Sequence, residues 1–515
     1  MRRKERRLEL LLYAAIFLIA LFLRIYKLGI LPYGIHIDEA GMGYDAYSIA
    51  HWGLDRYYKF YPVYFLNYGG GQSVLYGYLC AVLMKFFEPS AVILRIPAVC
   101  FGILTWIFGS LITREILGRK AGLLGSVLLA ICPCFILHSR LGMDCYLFLG
   151  ASTVSLYCCV RAVNEDTNKN RTLLYGAAGL GFGISLYTYA LSWLAVPIFL
   201  IFLLVYLLYI RKINWKQILC MGVPLGILAA PLILMVAINT FQLPEIVTGR
   251  FTIPRLTEFR GAEISLKHVI NNIPVLIQAY FFHDQFPYNS LPTYFTLYLI
   301  SVPFAMVGIG KSVVRTIDTV KERQFFAPAL ILLWFLAQTC MGLVIKEPNV
   351  NKLNGVFFSL AFLAVYGIRE CYSSIQKGYW KKYFVAGISA LYVIFFLSFG
   401  TYYFTEYTED TFPLPYFDGT TYADILDEWE ETIGDRDVYV DSLYIYYPLG
   451  EKLSPIEFQL IEQGLEKRGK IHFGLPEEQD ENGFYLIFRE ENYADQLKES
   501  GFQMEEAGMY KVLYK

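Results

Sequence analysis

The sequence predicts an all-α polytopic membrane protein with a small α/β domain at its C-terminal end. Of the 515 residues, 56% are hydrophobic and only 17% are charged, whereas soluble domains carry about 25% charged residues. Apolar runs long enough to cross a bilayer recur up to residue 404. Beyond that point lie 26 of the 45 acidic residues but only 9 of the 44 basic ones. A basic membrane body therefore precedes an acidic tail, a pattern that fits membrane loops and not nucleic-acid binding.

The chain begins with five basic residues before Leu8, and the first apolar run covers residues 8–27. This run is longer than the core of a signal peptide and lacks a small-residue cleavage site, so we expect it to remain as the first span. Basic residues favour the cytoplasmic side of a span. The N-terminus is therefore predicted to lie in the cytoplasm and the following loop outside.

The short apolar run 72–87 decides the predicted topology. It includes Lys85 and is shorter than the roughly 20 residues that a span needs. If this run crossed the membrane, the basic clusters that begin at Arg119, Arg211 and Lys377 would all face outside. If it lies in the interface, each cluster faces the cytoplasm, as the positive-inside rule expects. We therefore expect an interfacial helix here.

This choice leaves about eleven spans and an outside C-terminus. The spans are predicted at 8–27, 91–117, 121–138, 145–163, 172–189, 191–210, 217–239, 291–310, 326–345, 354–372 and 383–404. The tail is predicted to hold helices at 422–433, 455–467 and 492–500, strands at 437–447 and 483–489, and a closing hairpin over 502–514. We expect a membrane module in residues 1–404 and an extracytoplasmic α/β domain in residues 405–515.

The loop after the first span carries two adjacent carboxylates, Asp38 and Glu39. Ionisable groups close to a bilayer are costly and tend to mark function. The stretch that starts at Asp38 reaches Gly53, a residue typical of helix ends, so Asp38 is a candidate cap of a short interfacial helix. Two interpretations stay open: a reaction centre, or a helix cap beside a solvent-facing Glu39.

A third carboxylate, Asp144, follows the third predicted span in the sequence HSRLGMD, and Arg140 lies four residues before it. The predicted topology puts this short turn on the same side of the membrane as Asp38. The Asp–Arg pair is either a structural salt bridge or part of a carboxylate cluster with a phosphate-binding arginine.

Two other outside segments hold candidate binding residues. In the turn KEPNVNKLN, Lys346 and Lys352 are expected at headgroup depth, where lysine either binds a lipid phosphate or extends along the interface. In the long loop between the seventh and eighth spans, Arg255 is either solvated or a ligand contact. His283 and Asp284 end that loop close to a span, which makes them sharper candidates for an acceptor or donor loop.

The order of these features resembles the GT-C glycosyltransferases, and among them the protein O-mannosyltransferase and aminoarabinose transferase group. The resemblance covers roughly residues 8–404. It implies that Asp38, in HIDEAGMGYDAYSIAHWG, is the essential first-loop aspartate, that Asp144 is the second acid, and that NVNKLN lies near the lipid phosphate. The chain lacks the WWDYG pentapeptide of oligosaccharyltransferases, and its GGGQ stretch departs from the Lys/Pro-rich form of aminoarabinose transferases.

The resemblance implies an enzyme that moves a hexose or pentose from a polyprenyl-phosphate donor to a glycan, lipid or protein acceptor. The reaction is expected at the outer face of the cytoplasmic membrane, with inversion at the anomeric carbon. Asp38 would be the general base, assisted by Glu39 and Asp144. The basic residues that would hold the phosphate and offset the charge of the leaving group are Arg140, Lys346 and Lys352. A divalent metal between the carboxylates is compatible with this scheme, although no dense ligand motif occurs.

Other classes stay open from the residues alone. A transporter or flippase of lipid-linked glycans would require charges within broken or repeated helices, whereas most candidate charges here are predicted in outside loops. A glycan polymerase or ligase would use basic residues of a large outside loop without needing Asp38. A receptor-like protein would use its acidic tail to bind a partner. No P-loop, GxSxG or HExxH motif appears.

Overall fold

The computed structural model describes residues 3–32, 35–67, 70–257, 259–283, 289–407, 425–426, 428–440, 471–473, 475–476, 478–487, 491–507 and 510–515. The described part of the membrane body is helical almost throughout. A small β-sheet follows near the C-terminal end.

The body consists of helices α1 to α15 in chain order. They are α1 (Arg3–Ile25), α2 (Ile37–Trp52), α3 (Val74–Met84), α4 (Ala91–Leu117), α5 (Arg119–Ile131), α6 (Pro133–Leu137), α7 (Cys145–Asn164), α8 (Asn168–Ser185), α9 (Ser192–Tyr209), α10 (Trp215–Thr240), α11 (Val269–Phe281), α12 (Ser301–Lys321), α13 (Pro328–Val344), α14 (Phe357–Ser374) and α15 (Gly378–Thr401). Between α10 and α11 lies a two-stranded hairpin of β1 (Ile246–Val247) and β2 (Thr252–Ile253), and α15 continues into a π-helical turn, Tyr402–Glu406.

The prediction of a polytopic helical membrane protein is confirmed. In the described residues, seven helices are long and apolar enough to cross a membrane by length and composition; they are α1, α4, α7, α9, α10, α14 and α15. The other four predicted spans correspond to α5, α8, α12 and α13, which are shorter or more polar. The span expected at 121–138 is interrupted at Cys132, because Pro133 starts a new helix at its first position.

The span predicted at 291–310 was placed about ten residues too early. Helix α12 begins only at Ser301 and continues to Lys321. The preceding segment forms turns because its backbone bonds go to other elements: Thr296 donates to the carbonyl of Phe282 and accepts from the backbone amide of Cys134. The helical run then continues past the apolar stretch into a polar end.

The run predicted to be interfacial forms the eleven-residue helix α3. At 1.5 Å of rise per residue such a helix covers roughly half of a hydrocarbon core about 30 Å thick. Helix α3 packs on α2 and on α4, with Phe65, Tyr76 and Cys80 in the shared core. Its length agrees with the interpretation that it does not cross the membrane.

Glycines allow two pairs of helices to approach closely. A side chain at Gly308 of α12 would lie 1.9 Å from the carbonyl oxygen of Leu363 in α14, and one at Gly367 of α14 would lie 1.9 Å from that of Phe304. Small residues at crossings are the usual means by which membrane helices pack backbone to backbone. Helices α8 and α10 use Gly179 in the same way.

The C-terminal part forms a mixed five-stranded sheet. Its strands are β3 (Val438–Val440), β4 (Ile471–Phe473), β5 (Phe484–Ile487), β6 (Gln503–Ala507) and β7 (Tyr510–Tyr514), in the spatial order β4-β3-β5-β7-β6. Strands β4, β3 and β5 run parallel, and β5-β7 and β7-β6 are antiparallel. Two helices are described beside it, α16 (Glu430–Ile433) and α17 (Glu491–Glu499).

These elements confirm the predicted small sheet domain and its closing hairpin. The predicted helix 455–467 lies outside the described residues. The predicted boundary between residues 404 and 405 falls inside the π-helical turn that ends α15, and it stays a prediction.

Candidate active site

The acidic pair lies in the first turn of α2, and the cap of this helix is His36, not Asp38. The backbone N–H of Asp38 donates to Nδ1 of His36 at 3.1 Å, and Glu39 accepts from the backbone N–H of His36 at 3.2 Å. This reciprocal arrangement is a capping box. The helix ends at Gly53 with φ 72°, as its glycine predicts. The side chain of Asp38 is thus not used by the cap.

Glu39 points into the protein and forms a buried ion pair with Arg95 of α4. Neither side chain is exposed, and the Arg95 Nε lies 3.0 Å from the Glu39 Oε1. The same carboxylate accepts from the backbone N–H of Gly142 at 2.9 Å. A charge that is paired and hydrogen-bonded in this way joins the start of α2 to the start of α4 and to the turn before α7. Its geometry suits a positioning role.

Asp38 has a different environment from its neighbour. Its side chain is 33% exposed, and its Oδ1 accepts a hydrogen bond from Nδ2 of Asn67 at 3.1 Å. The other oxygen, Oδ2, lies 3.8 Å from Nδ1 of His36. Burial lowers the pKa of His36, and this outweighs the opposite effect of the neighbouring carboxylates. His36 is therefore neutral at pH 7 and does not neutralise Asp38.

Asp144 feels the charge of Asp38, and its membership of a carboxylate cluster stays a prediction. It is 8% exposed and sits at the N-terminus of α7. Its Oδ2 accepts from the backbone N–H of Ser73 at 3.0 Å, just before α3, and its Oδ1 accepts from that of Cys145 at 2.8 Å. Burial raises the pKa of Asp144 to about 7, and the negative charge of Asp38 adds to this effect. The buried Asp144 carboxyl and the partly exposed Asp38 carboxyl thus interact electrostatically.

Arg140 is enclosed by the protein instead of facing the carboxylates. Its guanidinium donates to the carbonyls of Leu23, Tyr26 and Leu31, at 2.9, 2.7 and 3.1 Å, and to the hydroxyl of Tyr403 at 3.3 Å. It is fully buried. These contacts fasten the end of α1 and the segment after it to the turn before α7.

The turn that holds Lys346 and Lys352 is tied to the beginning of α7. Asn351 accepts from the hydroxyl of Tyr146 at 2.6 Å, and Asn354 donates to the carbonyl of Cys145 at 2.6 Å. Lys352 Nζ donates to the carbonyl of Lys346 at 2.9 Å. The chain therefore brings this basic turn to the same helix terminus that carries Asp144, although the two are some 200 residues apart.

The remaining predicted residues lie along the loop between α10 and α12. Arg255 is exposed and hydrogen-bonds to Gln242, just past α10. His283 follows α11 and lines a cavity of about 430 Å³ together with Pro274, Ile277, Gln278, Phe282 and Phe295. Asp284 lies outside the described residues. Within those residues no group of three or more His, Cys, Asp or Glu side chains is arranged to hold a metal ion.

Several polar residues near Asp38 escaped the sequence analysis. Asn67 and Arg56 lie in the irregular segment between α2 and α3, where nothing in the sequence marks a contact. Asp45 could have been noticed, because it is seven residues after Asp38 and so on the same helix face. Arg95 is a lone charge in an apolar run, and intramembrane charges are functional or structural signals.

Comparison with known proteins gives a family match over part of the chain. Residues 72–236 match the sequence model of the dolichyl-phosphate-mannose-protein mannosyltransferase family. This segment runs from α3 to α10 and includes Asp144, Arg140 and Arg95, but not the acidic pair of α2. A search of curated proteins finds no match to the chain.

Solved structures match over nearly the whole chain. ArnT from Cupriavidus metallidurans in the apo state aligns with a TM-score of 0.57 at 11% identity, covering 98% of this chain and 97% of that one. The same enzyme bound to undecaprenyl phosphate gives a TM-score of 0.55 at 12% identity, with the same coverage. The apo oligosaccharyltransferase of Archaeoglobus fulgidus gives 0.53 at 14% identity, covering 95% and 70%. The chain therefore has an ArnT-like GT-C fold.

Proposed function

We propose that the protein is a membrane glycosyltransferase that moves a sugar from a polyprenyl-phosphate donor to a hydroxyl of a glycan, lipid or protein acceptor. The observation that carries the proposal is the Asp38 carboxylate. It is one-third exposed beside the buried Asp144, at the end of an interfacial helix. The fold and the family match support this reading, and one matching structure, ArnT, is described as bound to undecaprenyl phosphate.

In this proposal Asp38 acts as the general base. Its Oδ2 takes the proton of the acceptor hydroxyl while the acceptor oxygen attacks the anomeric carbon of the donor. The bond between that carbon and the phosphate oxygen breaks, and the electron pair leaves with the polyprenyl phosphate. Because the leaving group is already an anion of modest basicity, no general acid is required. A single displacement of this kind inverts the anomeric centre.

Asp144 has a second role in the proposal. With a pKa of about 7 it is partly protonated near neutral pH, so it can donate a hydrogen bond to a sugar or acceptor oxygen. Two carboxyl groups that occupy different surroundings in one site commonly divide acid and base tasks. We assign Asp144 to orienting the acceptor and Asp38 to removing its proton.

The donor phosphate is assigned to the basic turn before α14. Lys352 and Lys346 reach the terminus of α7 through this turn, and lysine binds phosphate as a point charge. Arg140 already donates to three carbonyls and one hydroxyl, so we assign it to holding the segment between α1 and α2. By the positive-inside argument the reaction takes place on the outer face of the cytoplasmic membrane, the side to which we also assign the C-terminal sheet domain.

The substitution Asp38→Asn tests the proposal. The amide oxygen of Asn can still accept the bond from Asn67, so the fold should persist, but the proton-accepting charge is lost. Loss of a general base lowers turnover by about 10²–10⁴-fold, which corresponds to roughly 3–5 kcal/mol of activation free energy. Asp166→Asn is the matched control, because Asp166 is exposed in the turn between α7 and α8.

The measurement is mass spectrometry of polyprenyl-phosphate sugars and surface glycans from cells that express each form. We expect cells with Asp38→Asn to accumulate the donor and lose the transferred sugar, and cells with Asp166→Asn to match the wild type. If product formation by a properly folded Asp38→Asn protein stays within about threefold of the wild type, a value far below that expected for a lost base, the proposed function is wrong.

A further inference from the structure

Asn67 links the candidate base to a buried ion pair. It lies in the segment between α2 and α3 and is 7% exposed. Its Nδ2 donates to Oδ1 of Asp38 at 3.1 Å, and its Oδ1 accepts from Nη2 of Arg56 at 2.9 Å. An asparagine amide has one acceptor side and one donor side. The bond from Arg56 thus fixes which side of the amide faces Asp38.

Arg56 is in turn held by two contacts with Asp45, one from its side chain and one from its backbone. Its Nη2 lies 3.1 Å from the Asp45 Oδ2, and its backbone N–H donates to the Asp45 Oδ1 at 3.0 Å. Both side chains are almost completely buried. The guanidinium also lies against Gly41, where a β-carbon would come within 2.6 Å of Nη1.

The three α2 residues of this network lie on one side of the helix. Asp38, Gly41 and Asp45 are spaced by three and four residues, so they follow one face. Asp38 and Asp45 place carboxyl groups at the two ends of this face, and Gly41 leaves room between them for Arg56. Arg56 can therefore contact the helix where a larger residue would exclude it.

We infer that Asn67, oriented by Arg56, is a positioning residue that binds one oxygen of the Asp38 carboxylate and leaves the other, Oδ2, to take the acceptor proton. The inference rests on the proposed function. The neutral amide of Asn67 lies between the Arg56 guanidinium and the Asp38 carboxylate. An arginine in direct contact with a carboxylate stabilises the ionised form strongly and makes it a weaker base. The amide keeps the orientation while moving the positive charge one residue away.

Other groups also affect the protonation of this site. The titratable side chains that interact with Asp38 are His36, Asp144, Cys145 and Tyr189. On the far side of Asn67, the buried Asp45 and Asp55 interact with Arg56, and burial raises the pKa of both. None of these is altered in the variants below, so a difference in pH dependence between wild type and variant reports on Asn67. Activity must be measured over a range of pH, because Asp144, with a pKa of about 7, also changes its protonation near neutral pH.

The test is Asn67→Asp, which has nearly the same shape as Asn. Its carboxylate can still accept from Arg56, but it cannot donate to Asp38 and adds a like charge beside it. We expect turnover to fall by about ten- to a hundredfold, as for a misplaced catalytic group. The donor KM should change little, and the acid limb of the pH–rate profile should move to higher pH by about one unit. Transfer kinetics over a pH series, with thermal melts alongside, measure all three.

Asn67→Ala is the companion variant, since it removes both bonds without adding charge. If Asn67 were only structural, both variants would melt earlier and lose activity equally at every pH. An unmoved acid limb with turnover within about threefold of the wild type, well short of the loss a misplaced group causes, overturns the inference and leaves the proposed function intact. Wild-type activity in Asp38→Asn would instead remove the proposed function, and the inference with it.

Discussion

The buried pair of Glu39 and Arg95 offers a prediction that separates structural from chemical roles within the acidic dipeptide. Arg95→Met keeps an unbranched side chain that fills the apolar part of the site but removes the charge and the donors. Arg95 Nε and Nη2 contact the two Glu39 oxygens at 3.0 and 3.4 Å, and Nη1 donates to the carbonyls of Leu28 and Pro32 at 2.8 and 3.1 Å. The substitution leaves a buried carboxylate without its partner and two carbonyls without this donor.

The expected loss follows from burial. Removing one partner of a buried ion pair costs about 3–5 kcal/mol of unfolding free energy, because the remaining charge is not compensated. Glu39→Gln should cost a similar amount for the opposite charge. The double variant Glu39→Gln/Arg95→Met removes both charges, so its loss should be smaller than the sum of the single losses by about 2–3 kcal/mol.

Unfolding of the purified protein in mixed detergent micelles, followed by tryptophan fluorescence, gives these free energies as a double-mutant cycle. Turnover of folded Glu39→Gln at low temperature should fall less than that of Asp38→Asn. Additive single losses, or single losses below about 1 kcal/mol, the range of an exposed pair, would refute the view that Glu39 and Arg95 form a buried structural pair. A loss of turnover equal to that of Asp38→Asn in a stable protein would place Glu39 in the chemistry.

Two further predictions concern the donor and the membrane orientation. Lys352→Ala should raise the donor KM about tenfold or more, since a charge-assisted contact contributes about 1.5–3 kcal/mol, and it should leave the acceptor KM unchanged. The control is Lys382→Ala, because Lys382 is exposed at the start of α15. An unaltered donor KM in Lys352→Ala would reject the phosphate assignment. In intact cells carrying a cysteine-free background, an impermeant thiol reagent should label a cysteine placed at Glu478 and spare one placed at Lys120; the reverse pattern would refute the positive-inside argument.

The helical framework could be predicted because hydrophobic length is a local property of the chain. The span predicted at residues 291–310 was misplaced because the backbone groups of Thr296 bond to distant segments of the chain. No local sequence pattern indicates such partners. Likewise, Asp38 and Glu39 are equivalent in sequence, but successive helical residues point about 100° apart. Glu39 therefore reaches Arg95, whereas Asp38 lies at a partly exposed surface. Which of the two carboxylates is buried depends on how α2 is placed relative to Arg95 of α4.

The prediction that Asp38 and Asp144 lie on the same side of the membrane has a different basis. Both lie at the predicted outer ends of helices, and a membrane confines such ends to one layer. The depth of a residue in the membrane thus restricts its possible neighbours, a restriction that a soluble chain lacks. The same restriction explains why the turn that holds Lys352 also reaches α7. Asn67 and Arg56 could not be predicted in this way, because depth in the membrane does not determine the direction of a side chain within that layer.

Two buried arginines make contacts that could not be predicted from the sequence. Arg140 donates to the carbonyls of Leu23, Tyr26 and Leu31, and Arg95 to those of Leu28 and Pro32. The segment between α1 and α2 is therefore fastened through backbone atoms, which every residue possesses. No side-chain pattern in that segment could reveal its partners. Since Arg95 also pairs with Glu39, the contacts that fix this segment also set the first turn of α2. The position of Asp38 thus depends on arginines that need not touch a substrate.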